Sequence, residues 1–220
     1  MIMEDHPYPN NVNISVNPGA GISRLTNLAV KDINNMTELE GTPEEHILIY
    51  IIGGICDISE KRRNPMENAE EVIFGEEATT CTVRVCNIIQ ESADTISSLG
   101  CKPIYATIPP MSISDWNWHR YNVNRTSLLC HHRNYESMQQ KLIEAVVEIN
   151  KFIIRLNAST GAYPPYLAGT VMVNTPGKAS PRVHYSRFVD GVHASPSLQL
   201  QWAHQLKKAM QKNRKSLTGF

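Results

Sequence analysis

The sequence lacks the features that mark several classes of protein. Its longest uninterrupted apolar run, at positions 47–52, has six residues, whereas a helix that crosses a bilayer needs about 20. The chain does not open on a basic stretch followed by an apolar one, so we expect no secretory signal, no membrane partner and a cytoplasmic location. The 21 basic and 21 acidic residues cancel, which argues against a protein that coats nucleic acid.

Cysteine is scarce and irregularly spaced. The five cysteines are Cys56, Cys81, Cys86, Cys101 and Cys130. An odd number without a CxxC pair fits neither a disulfide framework nor a zinc site, so we predict reduced thiols. The adjacent His131 and His132 point apart and share no spaced carboxylate. We therefore predict that the chain holds no metal and no cofactor.

The 220 residues predict one domain, residues 1–220, in which strands alternate with helices. The spacing of apolar residues predicts helices over 21–35, 76–99, 135–156 and 197–211. Alternating or wholly apolar runs predict strands over 11–17, 46–52, 102–108 and 167–173. Residues 53–68 and the aromatic stretch after Pro110 are predicted as loops. The expected architecture is α/β, a three-layer α/β/α sandwich around a mainly parallel sheet of about five strands.

One turn, just before the last predicted helix, carries the strongest chemical signal. Asp190 and His193 are three residues apart with Gly191 between them, so the carboxylate can fold back onto the imidazole Nδ1. A histidine held in one tautomer in this way leaves its Nε2 free to take a proton from a hydroxyl or a thiol. The alternative interpretation is a surface turn with an incidental histidine. Similarly, the aromatic loop with Trp116 and Trp118 is either a lid or binding patch, or a contribution to the core.

Four segments together resemble the SGNH (GDSL-type) hydrolases. Asp-Gly-Val-His-Ala-Ser before a C-terminal helix is similar to the last block of that family, and HILIYIIGGICDI is similar to the strand that runs into its Gly-x-Asn-Asp block. IYATIPP and VNPGAGIS look like a later strand and the family's second block. A finer resemblance is to the esterase-like domains of retroelement-type and uncharacterised animal proteins. The resemblance extends from Val12 to Lys208.

The resemblance implies a Ser-His-Asp triad whose acid is Asp190 and whose base is His193. It implies that Gly19 or Gly21 donates a backbone N–H to the oxyanion, and we favour Gly21 because it directly opens the predicted helix. It also implies that the loops of Gly21 and Gly54 converge with His193 on one cleft. Cys56 stands where the family has an asparagine that donates to the oxyanion, and a thiol is a poor substitute donor. Cys56 is either a replacement nucleophile or a buried thiol at a strand end, and we predict that it is inert.

The resemblance does not extend to the nucleophile. The family's serine lies in a Gly-Asp-Ser turn upstream of the segment that begins at Val12, and the first eleven residues contain no serine. Either residues 1–6 are a degenerate form of that block, or the strand that carries the serine is missing. The predicted function is therefore an esterase-type hydrolase of small acyl esters, if a serine is supplied upstream. The alternative is an inactive domain of the same fold that serves as a binding or interaction module. The sequence leaves the oligomeric state open.

Overall fold

A computed structural model describes residues 12–40, 43, 47–64, 69–123, 135–174, 176–177 and 180–218. The helices of these residues are α1 (Ile22–Glu40), α2 (Ile55–Ile58), α3 (Ala78–Ser98), α4 (Ile113–Val123), α5 (Glu136–Ser159) and α6 (Pro196–Thr218). The strands are β1 (Leu48–Ile51), β2 (Glu60–Asn64), β3 (Ala69–Ile73), β4 (Lys102–Tyr105), β5 (Met172–Val173) and β6 (Arg182–Val183). Short 3₁₀ turns occupy Ala168–Thr170 and Tyr185–Arg187.

The fold is mixed α/β with a small parallel sheet. β1 and β4 pair in parallel, with Leu48 opposite Lys102 and Ile51 opposite Tyr105, while β2–β3 and β5–β6 are antiparallel pairs. The five-stranded sheet and the three-layer sandwich predicted from the sequence are not confirmed, because the described strands form only two-stranded sheets. Of the predicted strand at 167–173, Ala168–Thr170 form a 3₁₀ turn and only Met172–Val173 are strand. The segment 12–17, also predicted as a strand, is irregular.

Side chains rather than a further strand close the outer edge of β4. The Asn157 amide accepts the Tyr105 N–H at 3.0 Å and donates to the Tyr105 carbonyl at 3.0 Å. The next outward N–H, that of Thr107, donates to the Pro165 carbonyl, and Pro103 has no N–H to satisfy. The Asn150 amide makes the same pair of bonds to Ile108. Because every outward donor from 103 to 108 is satisfied, the sheet ends here.

The opposite edge, that of β1, differs from the prediction. The apolar run 47–52 predicts a strand buried on both faces, yet Leu48, Ile49 and Tyr50 are half-buried and the Ile52 side chain is 45% exposed. In a parallel pair, alternate residues point their backbone groups away from the partner strand. Those of Leu48 and Tyr50 bond to no other described residue. β1 therefore has the sequence of a central strand but lies, among the described residues, at the edge of its two-stranded sheet.

Helix α3 packs between α1 and α5 and forms the centre of the hydrophobic core. Its buried face carries Val85, Ile89 and Ile96, and that of α5 carries Val146, Ile149 and Ile153. The α5 residues belong to the apolar stripe that predicted that helix. The spacing that predicted α3 included Ile89 and Ile96 but also Val83, which is 61% exposed, and it did not include Val85. None of the helices in the described residues combines the length and apolar character that a bilayer crossing requires.

Two predicted loops contain regular structure. Residues 53–68, predicted as a polar loop, include the single turn α2 and strand β2, which pairs with β3 as a hairpin. The stretch after Pro110, predicted as an aromatic loop, contains helix α4. The hairpin is exposed on β2 and carries charged residues on both faces, so it lacks the alternation that predicts a strand. Helix α4 has its tryptophans at 116 and 118, which do not share a helical face.

Candidate active site

The turn from Asp190 to His193, which we call the Asp190 turn, is organised by one carboxylate. Its Oδ2 lies 2.6 Å from the Nδ1 of His193. Its Oδ1 accepts the backbone N–H groups of Val192, at 3.0 Å, and His193, at 2.8 Å. The Val189 N–H donates to the His193 carbonyl at 2.7 Å and closes the base of the turn. The hydrogen bond predicted from the DxxH spacing is present, and the backbone fixes the carboxylate that makes it.

The two side chains of this pair differ sharply in solvent access. The Asp190 side chain is 8% exposed and that of His193 is 69% exposed. Burial raises the pKa of Asp190, but the backbone and side-chain hydrogen bonds from His193 and Val192 outweigh it, so the pKa lies below its ordinary value. The carboxylate therefore stays ionised and holds Nδ1–H, while Nε2 makes no hydrogen bond to the described residues. This is the geometry of an oriented general base.

Ser112 anchors the Asp190 turn to the loop that follows β4. The Ser112 N–H donates to the Gly191 carbonyl at 2.8 Å. Gly191 has a φ of 88°, and a Cβ at this position would lie 2.7 Å from the Ser112 carbonyl oxygen and 3.0 Å from the Asp115 Cβ. Only glycine satisfies both the positive φ and the close approach.

The same serine begins helix α4. Its Oγ accepts the Asp115 N–H at 3.2 Å, and its carbonyl accepts the Trp116 N–H at 3.1 Å. One residue further on, the buried Asn117 amide brackets Val72 in β3, accepting its N–H and donating to its carbonyl. The Trp116 ring lies 5.6 Å from the His193 ring, centroid to centroid, at an interplanar angle of 53°. Helix α4 therefore forms one wall beside the exposed imidazole.

The predicted oxyanion glycine, Gly21, lies in a second cluster built on Asp57. The Asp57 Oδ2 accepts the Ile22 N–H at 2.8 Å and thereby caps helix α1. A Cβ on Gly21 would overlap the Asp57 carboxylate, so the glycine is needed for this contact. Burial raises the pKa of Asp57, partly offset by the Ile22 N–H and by the Arg84 guanidinium. The Gly21 N–H bonds to no other described residue.

Asp57 belongs to a one-turn unit, Gly54–Asp57, which we call the Asp57 turn. Gly54 has a φ of 107°, and a Cβ there would meet the Ile108 side chain at 2.5 Å. The Asp57 N–H donates to the Gly54 carbonyl at 3.0 Å. The approach of Gly54 to Ile108 places the turn against the segment that follows β4, four residues before Ser112. No hydrogen bond or ring contact among the described residues joins His193 directly to Gly21 or Gly54.

Cys56 lies in the same turn and is exposed, which corrects the expectation of a buried thiol. Within α2 the buried side chain is that of Ile58, whereas Cys56 lies on the exposed side of the turn. Partial burial of the thiol raises its pKa, and the neighbouring Asp57 carboxylate raises it further. Lys61 acts in the opposite direction with a smaller effect. The thiol form is thus favoured over the nucleophilic thiolate.

The described residues place no serine hydroxyl in hydrogen-bonding contact with His193. Ser195 comes nearest along the chain, but its Oγ lies 3.1 Å from the Ser197 Oγ and accepts the Leu198 N–H. The Ser112 Oγ accepts the Asp115 N–H. The segment 1–6, which we considered as a degenerate nucleophile block, lies outside the described residues, as do Cys130, His131 and His132. Within the part of the chain that the structure describes, no three His, Cys, Asp or Glu side chains are grouped to hold a metal ion.

Sequence reasoning missed the parts played by Ser112, Asn117 and Asp57. One signal was available for Ser112, because Ser-x-x-Asp over positions 112–115 is the pattern of a helix N-cap. Asn117 gave no such signal, since its partner Val72 is 45 residues away. Asp57 gives no local signal of its capping role, because its bond is to the N–H of Ile22, 35 residues earlier.

Comparison with known proteins supports the fold alone. No family model matches the chain, and no curated protein matches its sequence. The structure is similar to the crystal structure of a putative acylhydrolase from Bacteroides fragilis NCTC 9343, with a TM-score of 0.50 and 15% sequence identity. The match covers 90% of this chain and 72% of that chain. The chain thus has a mixed α/β fold similar to that of this structure.

Proposed function

We propose that this chain is an SGNH-type hydrolase domain that cleaves small acyl esters with a serine supplied from sequence upstream of Val12. The observation that carries the proposal is the Asp190–His193 pair, with Nδ1 and Oδ2 2.6 Å apart and the rest of the imidazole open to solvent. The acylhydrolase-like fold supports it. The reduced thiols expected from the sequence fit a cytoplasmic enzyme. We also propose that the domain is related to the esterase-like domains of retroelement-type proteins.

In this mechanism His193 is the base and then the acid. Its Nε2 takes the proton of the serine hydroxyl while the serine oxygen bonds to the acyl carbon. The ester C–O bond breaks, and the alcohol leaves with the proton that Nε2 returns. Water then repeats the sequence on the acyl-enzyme and releases the acid. Asp190 stays ionised throughout, because the backbone N–H groups that hold Oδ1 lower its pKa.

The oxyanion donor in this proposal is the Gly21 N–H, at the start of α1. Two features support it: the N–H has no partner among the described residues, and the N-terminus of a helix favours negative charge. The Asp57 carboxylate, which already caps Ile22, opposes a second negative charge nearby. Loss of one oxyanion donor costs about 2.7–4 kcal/mol of barrier, so the thiol at Cys56 predicts a slow enzyme.

That same thiol favours the second candidate, an inactive domain used as a binding module. The resemblance implies an amide donor at position 56, and Cys56 instead has a raised pKa and no hydrogen bond to the described residues. If an ancestral enzyme lost catalysis, it could keep the Asp190–His193 pair and lose the side chain that donates to the oxyanion. The two candidates make opposite statements about a serine upstream.

The test compares the 220-residue chain with a longer protein translated from the reading frame upstream of Met1. We expect a fluorophosphonate to label the longer protein on a serine before Val12, and His193→Ala to abolish the labelling. The 220-residue chain should hydrolyse p-nitrophenyl acetate no faster than its own His193→Ala variant. A folded longer protein that resists the probe would favour the binding module. Labelling of a serine inside the 220 residues would show that the nucleophile is not upstream.

A further inference from the structure

We propose that Trp116 is the positioning residue that holds the His193 imidazole in its productive orientation. The inference rests on the proposed function, because orientation matters only if His193 moves a proton. Trp116 contacts the ring of His193, the proposed base, at 5.6 Å between ring centroids. It therefore acts through the histidine rather than on the substrate.

The need for such a residue follows from the exposure of His193. Its side chain is 69% exposed, and its one hydrogen bond to the described residues is the bond from Nδ1 to Asp190. An imidazole held at one nitrogen and open to water elsewhere can turn away from its partner. The Trp116 ring supplies a second contact, and its centroid distance lies within the 4.5–7 Å of stabilising aromatic pairs. Together the two contacts leave Nε2 as the free end of the ring.

The backbone at Trp116 is fixed by hydrogen bonds of its own and of the next residue. Its N–H bonds to the Ser112 carbonyl, in the same residue whose N–H holds Gly191 in the Asp190 turn. The next residue, Asn117, is 1% exposed and makes two hydrogen bonds to Val72. The tryptophan and the histidine are thus positioned from one shared turn. A movement of that turn would displace both rings together.

The ring of Trp116 also has a contact on the side of helix α4. The Arg120 guanidinium lies 5.3 Å from the ring centroid, and it forms an ion pair with Glu70 of β3 at 3.5 Å. The guanidinium adds a cation–π contact to the same indole. The side chains of Arg120 and Glu70 are 37% and 63% exposed, so we assign this ion pair a minor part in fixing the ring.

The experiment measures the Nδ1–H proton of His193 by NMR at neutral pH in the 220-residue chain. The resonance is identified by its loss in His193→Ala. The variants are Trp116→Ala, Trp116→Leu, which keeps apolar bulk without a flat ring, and Trp116→Phe, which keeps an aromatic face. The matched control is Trp118→Ala, since Trp118 lies in the same helix and its side chain is 52% exposed. Cooperative urea unfolding shows that each variant is folded.

We expect hydrogen exchange of the Nδ1–H to accelerate about threefold to tenfold in Trp116→Ala and Trp116→Leu, the range that one aromatic pair contributes. Trp116→Phe should restore slow exchange, and Trp118→Ala should leave it unchanged. Unchanged exchange in folded Trp116→Leu would overturn the proposal, and so would equal acceleration in Trp118→Ala. The readout needs no serine, so a failure of the fluorophosphonate test leaves this result intact and separately interpretable.

Discussion

The Asp190 turn and the Asp57 turn each contain an aspartate that accepts backbone N–H groups, but the pKa of the two carboxyls shifts in opposite directions. In each, the aspartate accepts a backbone N–H and a glycine makes a close approach. Gly21 lies against the Asp57 carboxylate, and Gly191 lies against the Ser112 carbonyl oxygen. The pKa of Asp190 is lowered, because three hydrogen bonds outweigh its burial. The pKa of Asp57 is raised, because burial outweighs its one bond to another residue's N–H and the more distant Arg84. The first aspartate is thus poised to hold an imidazole and the second to cap a helix.

The neighbours of the two aspartates sharpen the contrast. Asp190 stabilises the hydrogen-bonded form of His193, the side chain that would move protons. Asp57 raises the pKa of Cys56 and so disfavours the thiolate of the one nucleophilic side chain beside it. Hydrogen bonds from backbone N–H groups to an aspartate therefore accompany an oriented imidazole in the Asp190 turn and a disfavoured thiolate in the Asp57 turn. Four measurements test this difference.

The largest effect is expected from Gly191→Ala. A positive φ strains any other residue by about 1–3 kcal/mol, and the new methyl would lie 2.7 Å from a backbone oxygen that the Ser112–Gly191 bond holds in place. We expect a loss of about 3 kcal/mol in the free energy of unfolding, together with loss of the His193 Nδ1–H signal.

The matched control is Gly161→Ala, where φ is +64° but nothing lies within 4 Å of the added Cβ. It should cost about 1 kcal/mol, the part due to the backbone alone. Urea denaturation of both variants measures the difference. Equal losses would mean that the contact with Ser112 does not constrain the Asp190 turn.

A smaller loss is expected from Gly21→Ala, although its Cβ would come closer to its neighbour. The atom it meets belongs to the Asp57 side chain, which can rotate away and give up its cap on Ile22. The cost should be that of a lost N-cap, about 1 kcal/mol. In an Asp57→Ala background, Gly21→Ala should cost almost nothing. Additive losses in the double variant would show that the two residues do not interact.

The elements that the sequence predicts well are those with local signals. The helices α3 and α5 follow from apolar residues that recur every three to four positions, and their bounds agree with the expected ranges to within three residues. β4 and the Asp190–His193 bond follow equally from spacing within a few residues. The extent of the sheet could not be predicted, because the Asn157 side chain closes the β4 edge from 52 residues away. No local pattern distinguishes such an asparagine from a surface one.

The candidate site divides in the same way. Asp190 and His193, the proposed acid and base, are three residues apart, so their hydrogen bond can be predicted from the DxxH spacing. The surfaces that support them, Ser112 and Trp116, come from a segment about 80 residues earlier, whose helix lacks a regular apolar stripe. Cys56 was expected to be buried because an apolar strand precedes it, whereas Gly54 turns the chain outward with a φ of 107°. A positive φ at a glycine cannot be read from its neighbours alone.

The pH dependence of stability should have opposite signs for the two aspartates. Because the folded pKa of Asp190 is lowered, its ionised form stabilises the fold above about pH 4, its ordinary pKa, and that stability is lost as the pH falls through the folded value. Because the folded pKa of Asp57 is raised, its protonated form favours the fold at low pH, and that contribution is lost as the pH rises through the folded value.

Urea unfolding between pH 3 and pH 7 separates the two contributions. The penalty of Asp190→Asn should be largest at neutral pH and shrink on acidification. The penalty of Asp57→Asn should be largest at acidic pH and shrink, or reverse, towards neutrality. Asn13→Ala, on an exposed residue, controls for the general effect of acid on the fold. Parallel pH profiles for the two aspartate variants would contradict the proposed difference.

The smallest effect is expected at Cys56 and concerns rate rather than stability. Its exposure predicts that iodoacetamide reaches it before the buried Cys81 and Cys101, while its raised pKa predicts slower labelling than that of a cysteine in the unfolded chain. Asp57→Asn should accelerate the labelling, since it removes the carboxylate that opposes the thiolate. His193→Ala should leave the rate unchanged, because no contact joins the two residues in the described structure.

Mass-spectrometric mapping of the labelled native protein measures these rates. A fall in Cys56 labelling on His193→Ala would instead make the Asp57 turn part of the chemistry, with a cysteine as the nucleophile.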